Sequence, residues 1–300
     1  MMSFKISALR KKEAIMGYLF ASPWLLGFSI FSVYAIISVI YYSFTDFNLF
    51  TKPNFVGFSN YVELFKFDAL FPISLYNTAY YALFSVPLGI IVAFLLAELL
   101  NQEVRGLAFF RTIFYLPSIV PAVASSILWL WILNPNFGIL NMFLSMLHLP
   151  TPLWLGSPEW AKPSLIIMSL WGVGGTMIIF LAGLQDVPQE LYESAELDGA
   201  GILAKFMHIT IPMMSPTLLY SLVMGIIGSF QVFTQAFIMT AGGPANSTLF
   251  YVLYLYRNAF QYFKMGYASA QALILLGIVL VLTLIVLGTS KKWVYYMGGT

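Results

Sequence analysis

The sequence is a succession of long apolar stretches separated by shorter polar segments. Six stretches are long enough to cross about 30 Å of hydrocarbon, which takes roughly 20 helical residues. They cover residues 15–43, 73–100, 108–133, 164–184, 213–240 and 268–289. Such runs predict helices, because an open strand in lipid leaves its backbone groups unpaired. The pattern therefore predicts an all-α polytopic membrane protein with six transmembrane helices.

Two other interpretations of the apolar pattern are disfavoured. A transmembrane β-barrel alternates polar and apolar residues over about ten positions, and residues 273–287 show no such alternation. A cleaved signal peptide has an apolar region of about 7–15 residues. The first stretch is far longer and contains Pro23, so we expect it to be retained as a helix.

Basic residues are distributed unequally between the two sides of the predicted membrane domain. With six spans both termini lie on the same side, which carries nine basic residues against five on the other. The nine are Lys5, Arg10, Lys11, Lys12, Arg105, Arg111, Lys205, Lys291 and Lys292, and the five are Lys52, Lys66, Lys162, Arg257 and Lys264. The positive-inside rule then predicts cytoplasmic termini. The expected order is a cytoplasmic tail at residues 1–14, a transmembrane permease domain at 15–290 and a cytoplasmic tail at 291–300, in the cell membrane.

The predicted loops differ in length and composition. Residues 45–72, 134–163 and 241–267 are expected outside, and they are rich in aromatic side chains suited to the headgroup region. Within the last of them, residues 249–256 are apolar but too short to span, which predicts an interfacial helix. The cytoplasmic side is expected to hold residues 101–107 and a longer segment, 185–212.

Composition and charge agree with a membrane protein. Charged residues make up only 9% of the 300 residues and hydrophobic ones 60%, whereas a soluble domain is about 25% charged. A net charge of +2 gives no basic stripe for a nucleic acid. The chain has no Cys, and its two His, His148 and His208, are far apart, so neither thiol chemistry nor a histidine-based metal site is expected.

The segment 185–212 carries five of the twelve acidic residues within 13 positions. Asp186 is a candidate N-cap and Pro188 a first-turn proline, which predicts an acidic helix over residues 188–197. Gly199 then occupies a position suited to a left-handed helix end. A second helical pattern follows and is expected to end at Pro212. Such a rigid element could transmit force from a cytoplasmic partner, or it could simply be a solvated loop that helps orient the chain.

The residues of this segment resemble a known signature. Glu193-Ser-Ala, followed by Asp198-Gly199-Ala200, resembles the Glu-Ala-Ala-x-x-x-Gly motif of ATP-binding-cassette importer permeases, with Ser194 in place of the usual Ala. Residues 110–121, 134–141, 229–233 and 242–244 look like the sugar-importing branch, which includes the maltose-transporter permeases. The resemblance implies the type I importer permease fold and covers residues 56–290.

The resemblance also implies a transport complex. The expected partners are a homologous second permease subunit, two ATPase subunits, an extracytoplasmic solute-binding protein, the sugar substrate and the lipid bilayer. Coupling to the ATPases would involve the six signature residues of the segment 185–212. They are Glu193, Ser194, Ala195, Asp198, Gly199 and Ala200.

The chain itself is expected to be non-catalytic. It has no phosphate-binding loop of the form G-x-x-x-x-G-K-[ST], and the glycines of residues 171–175 lie within an apolar span. ATP and magnesium would therefore be used by the partner ATPase subunits, and no cofactor is expected on this chain.

Polar residues where the predicted spans are interrupted are the candidates for the solute pathway. Apart from Arg111 near the start of the third, the spans that supply them carry no ionisable residue in their interior, which disfavours a proton-coupled carrier and suits a neutral solute. The candidates are Ser118, Ser169, Trp171, Gly172, Thr176, Gly228, Ser229, Gln231 and Gln235. By resemblance, the pocket of the maltose-type permeases is formed by the same parts of the third, fourth and fifth spans. Small residues also serve helix packing.

One rival function is disfavoured by the sequence, and one alternative cargo is left open. An integral-membrane enzyme would need a polar constellation such as H-E-x-x-H or G-x-S-x-G, and neither motif is present. Within the importer class the alternative cargo is glycerol-3-phosphate or a polyol derivative, whose phosphate would favour a basic residue in the pathway. The sequence names neither the sugar nor its chain length.

Overall fold

The computed structural model describes residues 8–102 and 106–296. Lys5 and Arg105, which enter the charge count, lie outside the described residues, as do positions 1–7 and 297–300 of the two predicted tails. The secondary structure of the described chain is helical, apart from one isolated bridge between Thr45 and Phe55. The prediction of an all-α protein is therefore confirmed.

The α-helices are numbered here in chain order. They are α1 (Ala8–Gly27), α2 (Tyr34–Ser43), α3 (Ser59–Lys66), α4 (Leu70–Leu100), α5 (Leu107–Ile119), α6 (Ala122–Ile132), α7 (Ile139–Met146), α8 (Pro158–Trp171), α9 (Gly174–Gln185), α10 (Gln189–Leu197), α11 (Ile202–Lys205), α12 (Ile211–Phe230), α13 (Thr234–Met239), α14 (Tyr251–Tyr256) and α15 (Met265–Ser290). Wider π-type turns occupy Phe28–Val33, Phe206–Thr210 and Arg257–Gln261, and a 3₁₀ turn occupies Trp154–Gly156.

Four helical stretches are long and apolar enough to cross a membrane on their own: Arg10–Ser43, Leu70–Leu100, Ile202–Met239 and Met265–Ser290. Two bent helix pairs also qualify if each pair is one span. The bend is 101° between α5 and α6 and 47° between α8 and α9. The described chain thus provides four such helices, or up to six, and the six-span count stays a prediction.

The chain divides into two compact units. In the first, residues 8–67 and 258–274, the turn after α2 is fixed by polar contacts. The Asn60 side chain donates hydrogen bonds to the carbonyls of Ser43 and Thr45, at 2.8 and 2.9 Å. Gly266 comes so close to Thr45 that an added Cβ would lie 2.0 Å from the Thr45 carbonyl oxygen. Only a glycine permits this approach.

The second unit, residues 68–257 and 275–296, is built around α4, α9 and α12. Its core holds buried apolar side chains from all three helices, among them Phe94, Phe180 and Met214. The rings of Phe94 and Phe180 meet edge to face with their centroids 5.4 Å apart. Close helix contact is made possible by Gly225, where an added Cβ would lie 2.9 Å from Val86. Phe206 and Val173 also pack against this core.

The prediction of an interfacial helix at residues 249–256 is wrong. Helix α14 does form there, but Leu249, Phe250 and Leu253 are fully buried. The segment packs against α4, and the Tyr251 N–H donates a hydrogen bond to the Thr78 hydroxyl at 2.8 Å. A short apolar run suits a protein interior as well as a headgroup layer, and here the neighbouring helix covers it.

Polar contacts stabilise the corner formed by residues 134–141. Asn141 donates hydrogen bonds to the carbonyls of Pro135 and Pro152 and accepts one from the Trp154 indole N–H at 2.7 Å. The corner leads into α8, which begins at Pro158, six residues earlier than the predicted span. Proline fits the first helical position because its missing N–H would be unpaired there anyway.

Candidate coupling segment and solute cavity

The acidic helix predicted at residues 188–197 is present as α10 (Gln189–Leu197). Pro188 precedes its first residue in an extended conformation, and the expected side-chain cap at Asp186 is not formed. Asp186 instead follows the last residue of α9 with helical backbone angles. The prediction of an Asp186 cap was wrong because Asp186 is the C-terminal cap residue of α9, and α10 begins only at Gln189.

A left-handed glycine ends α10, as predicted. Gly199 has φ +78°. The N–H of Ala200 bonds the Ala195 carbonyl at 2.8 Å, and the N–H of Gly199 bonds the Glu196 carbonyl at 3.0 Å. This pair of bonds is the Schellman motif, which satisfies the last carbonyls of a helix and reverses the chain. The turn between α10 and α11 therefore has a defined shape.

The second helix does not end at Pro212, which corrects the sequence prediction. α11 continues through the π-type turns of Phe206–Thr210 directly into α12, so the backbone is helical from Ile202 to Phe230. Pro212 provides no N–H to the preceding turn, and the wider turn just before it accommodates that loss. The candidate coupling segment, residues 185–212, is thus continuous with a helix that is long and apolar enough to cross a membrane.

Three side-chain contacts fix the coupling segment internally and to the core. Lys205 forms an ion pair with Glu196 across the glycine turn. The hydroxyls of Tyr192 and Thr210 lie 2.9 Å apart and form a hydrogen bond between α10 and the π-type turn that precedes α12. The ring of Phe206 packs on the core, 5.8 Å from the ring of Phe94.

The six residues of the signature lie together at the exposed tip of this segment. Glu193, Ser194, Asp198 and Gly199 are exposed, and Ala195 and Ala200 are partly buried. Next to them lies an apolar surface formed by Leu197, Ile202 and Leu203, whose exposed fractions are 91%, 85% and 75%. His208 is also exposed, with its Nδ1 3.0 Å from the Ala204 carbonyl oxygen. The tip is therefore a surface of mixed acidic and apolar character.

A cavity of about 730 Å³ lies in the second unit, among α4, α8, α9, α12 and α13. A smaller cavity of about 260 Å³ adjoins it and shares five lining residues with it. The larger volume falls within the roughly 300–1,000 Å³ common for ligand pockets.

Helix breaks meet at these cavities. The break between α5 and α6 contributes Val120, the break between α8 and α9 contributes Gly172, and the break between α12 and α13 contributes Gln231. Interrupted membrane helices leave backbone groups unpaired, and these are tolerated where they line a cavity. The breaks therefore place polar backbone and side-chain groups around one space.

The structure brings all nine predicted pathway residues to the two cavities. The larger is lined by Ser169, Gly172, Thr176, Gly228, Ser229, Gln231 and Gln235, and the smaller by Ser118, Ser169, Trp171, Gly172 and Gln235. This shows where the residues lie, while their contact with a solute stays a prediction.

Sequence analysis missed one wall of the cavities. Tyr81 and Ser85 of α4 line the larger cavity, and so do Tyr220 and Ser221 of α12. The second apolar stretch had no break to draw attention to it. The available signal was the recurrence of polar residues at steps of three and four along α4, which places them on one helix face.

The polar groups of the lining are uncharged. In the part of the chain that the structure describes, both cavities are bounded by hydroxyls, carboxamides, aromatic rings and apolar side chains. Hydroxyls both donate and accept hydrogen bonds. This lining is chemically suited to a neutral molecule with several hydroxyl groups.

Comparison with known proteins identifies the family. Residues 85–295 match the family described as binding-protein-dependent transport system inner membrane component. The chain belongs to this family. The match covers more than two thirds of the chain. It includes residues 185–212 and the helices that line the cavities, except for the first half of α4, where Tyr81 lies.

Relatives support the same assignment. A probable ABC transporter permease protein of Bacillus subtilis (strain 168), YesP, is 41% identical over 298 residues, covering 98% of this chain and 96% of the relative. The arabinooligosaccharides transport system permease protein AraP of the same strain is 36% identical over 283 residues, covering 92% and 88%. The family assignment made from the coupling signature is confirmed.

A solved structure shows the same fold. A crystal structure of a bacterial ABC transporter involved in the import of the acidic polysaccharide alginate matches with a TM-score of 0.82 and 26% identity, covering 94% of this chain and 96% of that chain. A second structure of a bacterial alginate ABC transporter, in complex with an alginate pentasaccharide-bound periplasmic protein, has a TM-score of 0.81. The type I importer permease fold implied by the sequence is consistent with these neighbours.

Proposed function

We propose that the chain is the non-catalytic permease subunit of an ATP-driven, binding-protein-dependent importer for a neutral sugar or oligosaccharide. The observation that carries the proposal is the continuous helix from Ile202 to Phe230. It begins beside the glycine turn of the exposed coupling tip and ends at the cavity. At 1.5 Å per residue it is about 43 Å long, so one rigid helix joins the exposed tip to the cavity.

In this mechanism the tip of residues 193–200 docks on an ATPase subunit. The acidic and apolar groups there provide the contact, and the Glu196–Lys205 pair and the Tyr192–Thr210 hydrogen bond keep the tip rigid. Closure of the ATPases on ATP then moves α12 relative to its neighbours. A partner shifts such an equilibrium only through different affinities for the two states, which the docking surface would supply.

The proposed complex has further members. A homologous permease provides the other half of the pathway, two ATPase subunits bind ATP and magnesium, and an extracytoplasmic binding protein delivers the solute. The periplasmic protein bound to the alginate transporter supports the last of these. In this scheme the termini and the segment 185–212 are cytoplasmic, in accordance with the distribution of basic residues.

The proposed cargo is a neutral saccharide. Relatives are described as transporting arabino-oligosaccharides and alginate, which supports the saccharide class. The uncharged lining of both cavities favours a neutral saccharide over acidic alginate. It also disfavours glycerol-3-phosphate, because a phosphate in a low-dielectric site needs a cationic partner.

The test is solute uptake by the complete complex in proteoliposomes. Radiolabelled arabinotriose, maltose, lactose, an alginate trisaccharide and glycerol-3-phosphate are supplied with the cognate binding protein, with ATP enclosed on the ATPase side. We expect ATP-dependent uptake of at least one neutral saccharide. Uptake confined to the two anionic solutes would contradict the neutral cargo, and uptake of glycerol-3-phosphate alone would contradict the saccharide class.

A further inference from the structure

A polar stripe runs along one face of α4. Its members recur at helical spacing and are all buried, with exposed fractions of 8% or less. They are Ser74, Asn77, Thr78, Tyr81 and Ser85. Burying five polar side chains in an apolar helix is costly unless each has a partner. The partners show which of the five are used in contacts within the protein and which line the cavities.

The first part of the stripe is used in contacts within the protein. Asn77 donates a hydrogen bond to the Asn246 carbonyl at 2.8 Å and accepts one from the Lys162 ammonium at 2.9 Å. The Thr78 hydroxyl donates to the Ser74 carbonyl at 2.9 Å and accepts from the Tyr251 N–H. These residues tie α4 to the loop before α14 and to α8.

The second part of the stripe lines the cavities. Tyr81 and Ser85 both line the 730 Å³ cavity, and Tyr81 is one of the residues shared with the smaller cavity. The Tyr81 ring packs against the buried ring of Phe250, with centroids 5.3 Å apart. Tyr81 is thus held at its ring by the protein, at the junction of the two cavities, and its hydroxyl interacts with the side chains of Ser169 and Ser85, which line the larger cavity with it.

We propose that Tyr81 contacts the transported solute directly and that α4 forms a fourth wall of its binding site. This inference rests on the proposed function and adds a residue from a helix that is not interrupted. The ring provides an apolar surface and the hydroxyl a hydrogen-bond donor and acceptor, the combination that suits a sugar. A side chain held by packing on a continuous helix loses little conformational entropy when it binds a solute.

Tyr81→Phe tests this inference, since it removes the hydroxyl and keeps the ring against Phe250. Uptake of arabinotriose, maltose and lactose is measured with the binding protein saturated, so the rate reports steps after delivery. We expect uptake to fall about 2- to 10-fold, the effect of one neutral hydrogen bond. The control is Tyr76→Phe, on the same helix with an exposed side chain, which should leave uptake unchanged.

A purely structural role for the hydroxyl would give a different result. It would lower the melting temperature of the complex and its binding-protein-independent ATP hydrolysis, neither of which we expect Tyr81→Phe to change. The inference would be overturned if Tyr81→Phe takes up saccharide at the wild-type rate, or if its uptake falls together with the melting temperature. Either result would leave the proposed function intact. If the wild-type complex imports none of the three saccharides, the proposed function and this inference both fail.

Discussion

Gly199 determines the shape of the coupling tip. Its φ of +78° lies in the left-handed region, which costs other residues roughly 1–2 kcal/mol. An added Cβ at this position would meet no atom within 4 Å. The requirement for glycine is therefore conformational rather than steric, and this makes the position suitable for a clean test.

We predict that Gly199→Ala weakens the turn and lowers ATP-driven uptake several-fold. Gly201→Ala is the matched control, because Gly201 is equally open but has φ −72°, which any residue adopts. Uptake and ATP hydrolysis are measured for both variants in proteoliposomes. Equal rates for the two would show that the left-handed turn is not needed for coupling.

Glu193 is predicted to contact the ATPase. Its carboxylate is exposed on α10, so Glu193→Ala should leave the melting temperature of the permease unchanged while uptake falls tenfold or more. Glu190→Ala, an exposed acid on the same helix but outside the signature, should retain uptake. The comparison fails to support the docking role if both variants transport alike.

The sequence pattern was sufficient to predict the conformation of Gly199 but not the position of Tyr81 at a cavity. Gly199 follows a run of helix-forming residues, so its left-handed conformation could be expected. Tyr81 lies in a stretch that is apolar overall, and its position at a cavity depends on how α4 packs against α8 and α12. That packing is a tertiary property, and no local pattern specifies it.

At the scale of elements, the helix that begins at Ile202 links the tip to the interior. Phe206 lies where this helix meets the core, with its ring against Phe94. The sequence suggested two helices separated at Pro212, whereas the structure has one. Local rules treat proline as a helix end, but a π-type turn lets the helix continue past it.

We predict that Phe206→Ala uncouples hydrolysis from transport. A fully buried Phe contributes about 3–5 kcal/mol, and the partly buried ring of Phe206 accounts for some fraction of that, so the tip should become loosely attached. The ATPase rate should persist while uptake falls about tenfold. Met207→Ala, whose side chain is 52% exposed, is the control and should keep the wild-type ratio of uptake to hydrolysis.

The broken helices were anticipated in part. Candidate pathway residues, among them Ser118 and Gly172, were predicted from the sequence where the third and fourth predicted spans are interrupted. The size of the bends, 101° and 47°, could not be predicted, because backbone direction at a break is set by what packs there. At Gly174 an added Cβ would lie 2.4 Å from the Phe114 carbonyl oxygen.

At the scale of the whole molecule, orientation in the membrane is the main prediction still to be tested. The chain contains no cysteine, so single cysteines can be introduced without background. We predict that Lys52→Cys and Asn136→Cys react with a membrane-impermeant maleimide in intact cells. Gln189→Cys, on α10, should react only after the membrane is permeabilised. Labelling of Gln189→Cys in intact cells would reverse the assigned topology.

The most direct test of the whole account measures saccharide uptake and ATP hydrolysis together in the same proteoliposomes, for the wild-type complex and for Gly199→Pro. Proline fixes φ near −65° and cannot adopt the turn. We predict that the wild-type complex imports a neutral saccharide only with ATP and loaded binding protein. Gly199→Pro should assemble in the membrane but import none. If the Gly199→Pro complex imports saccharide at the wild-type rate, or if uptake occurs without ATP, coupling through residues 185–212 is contradicted.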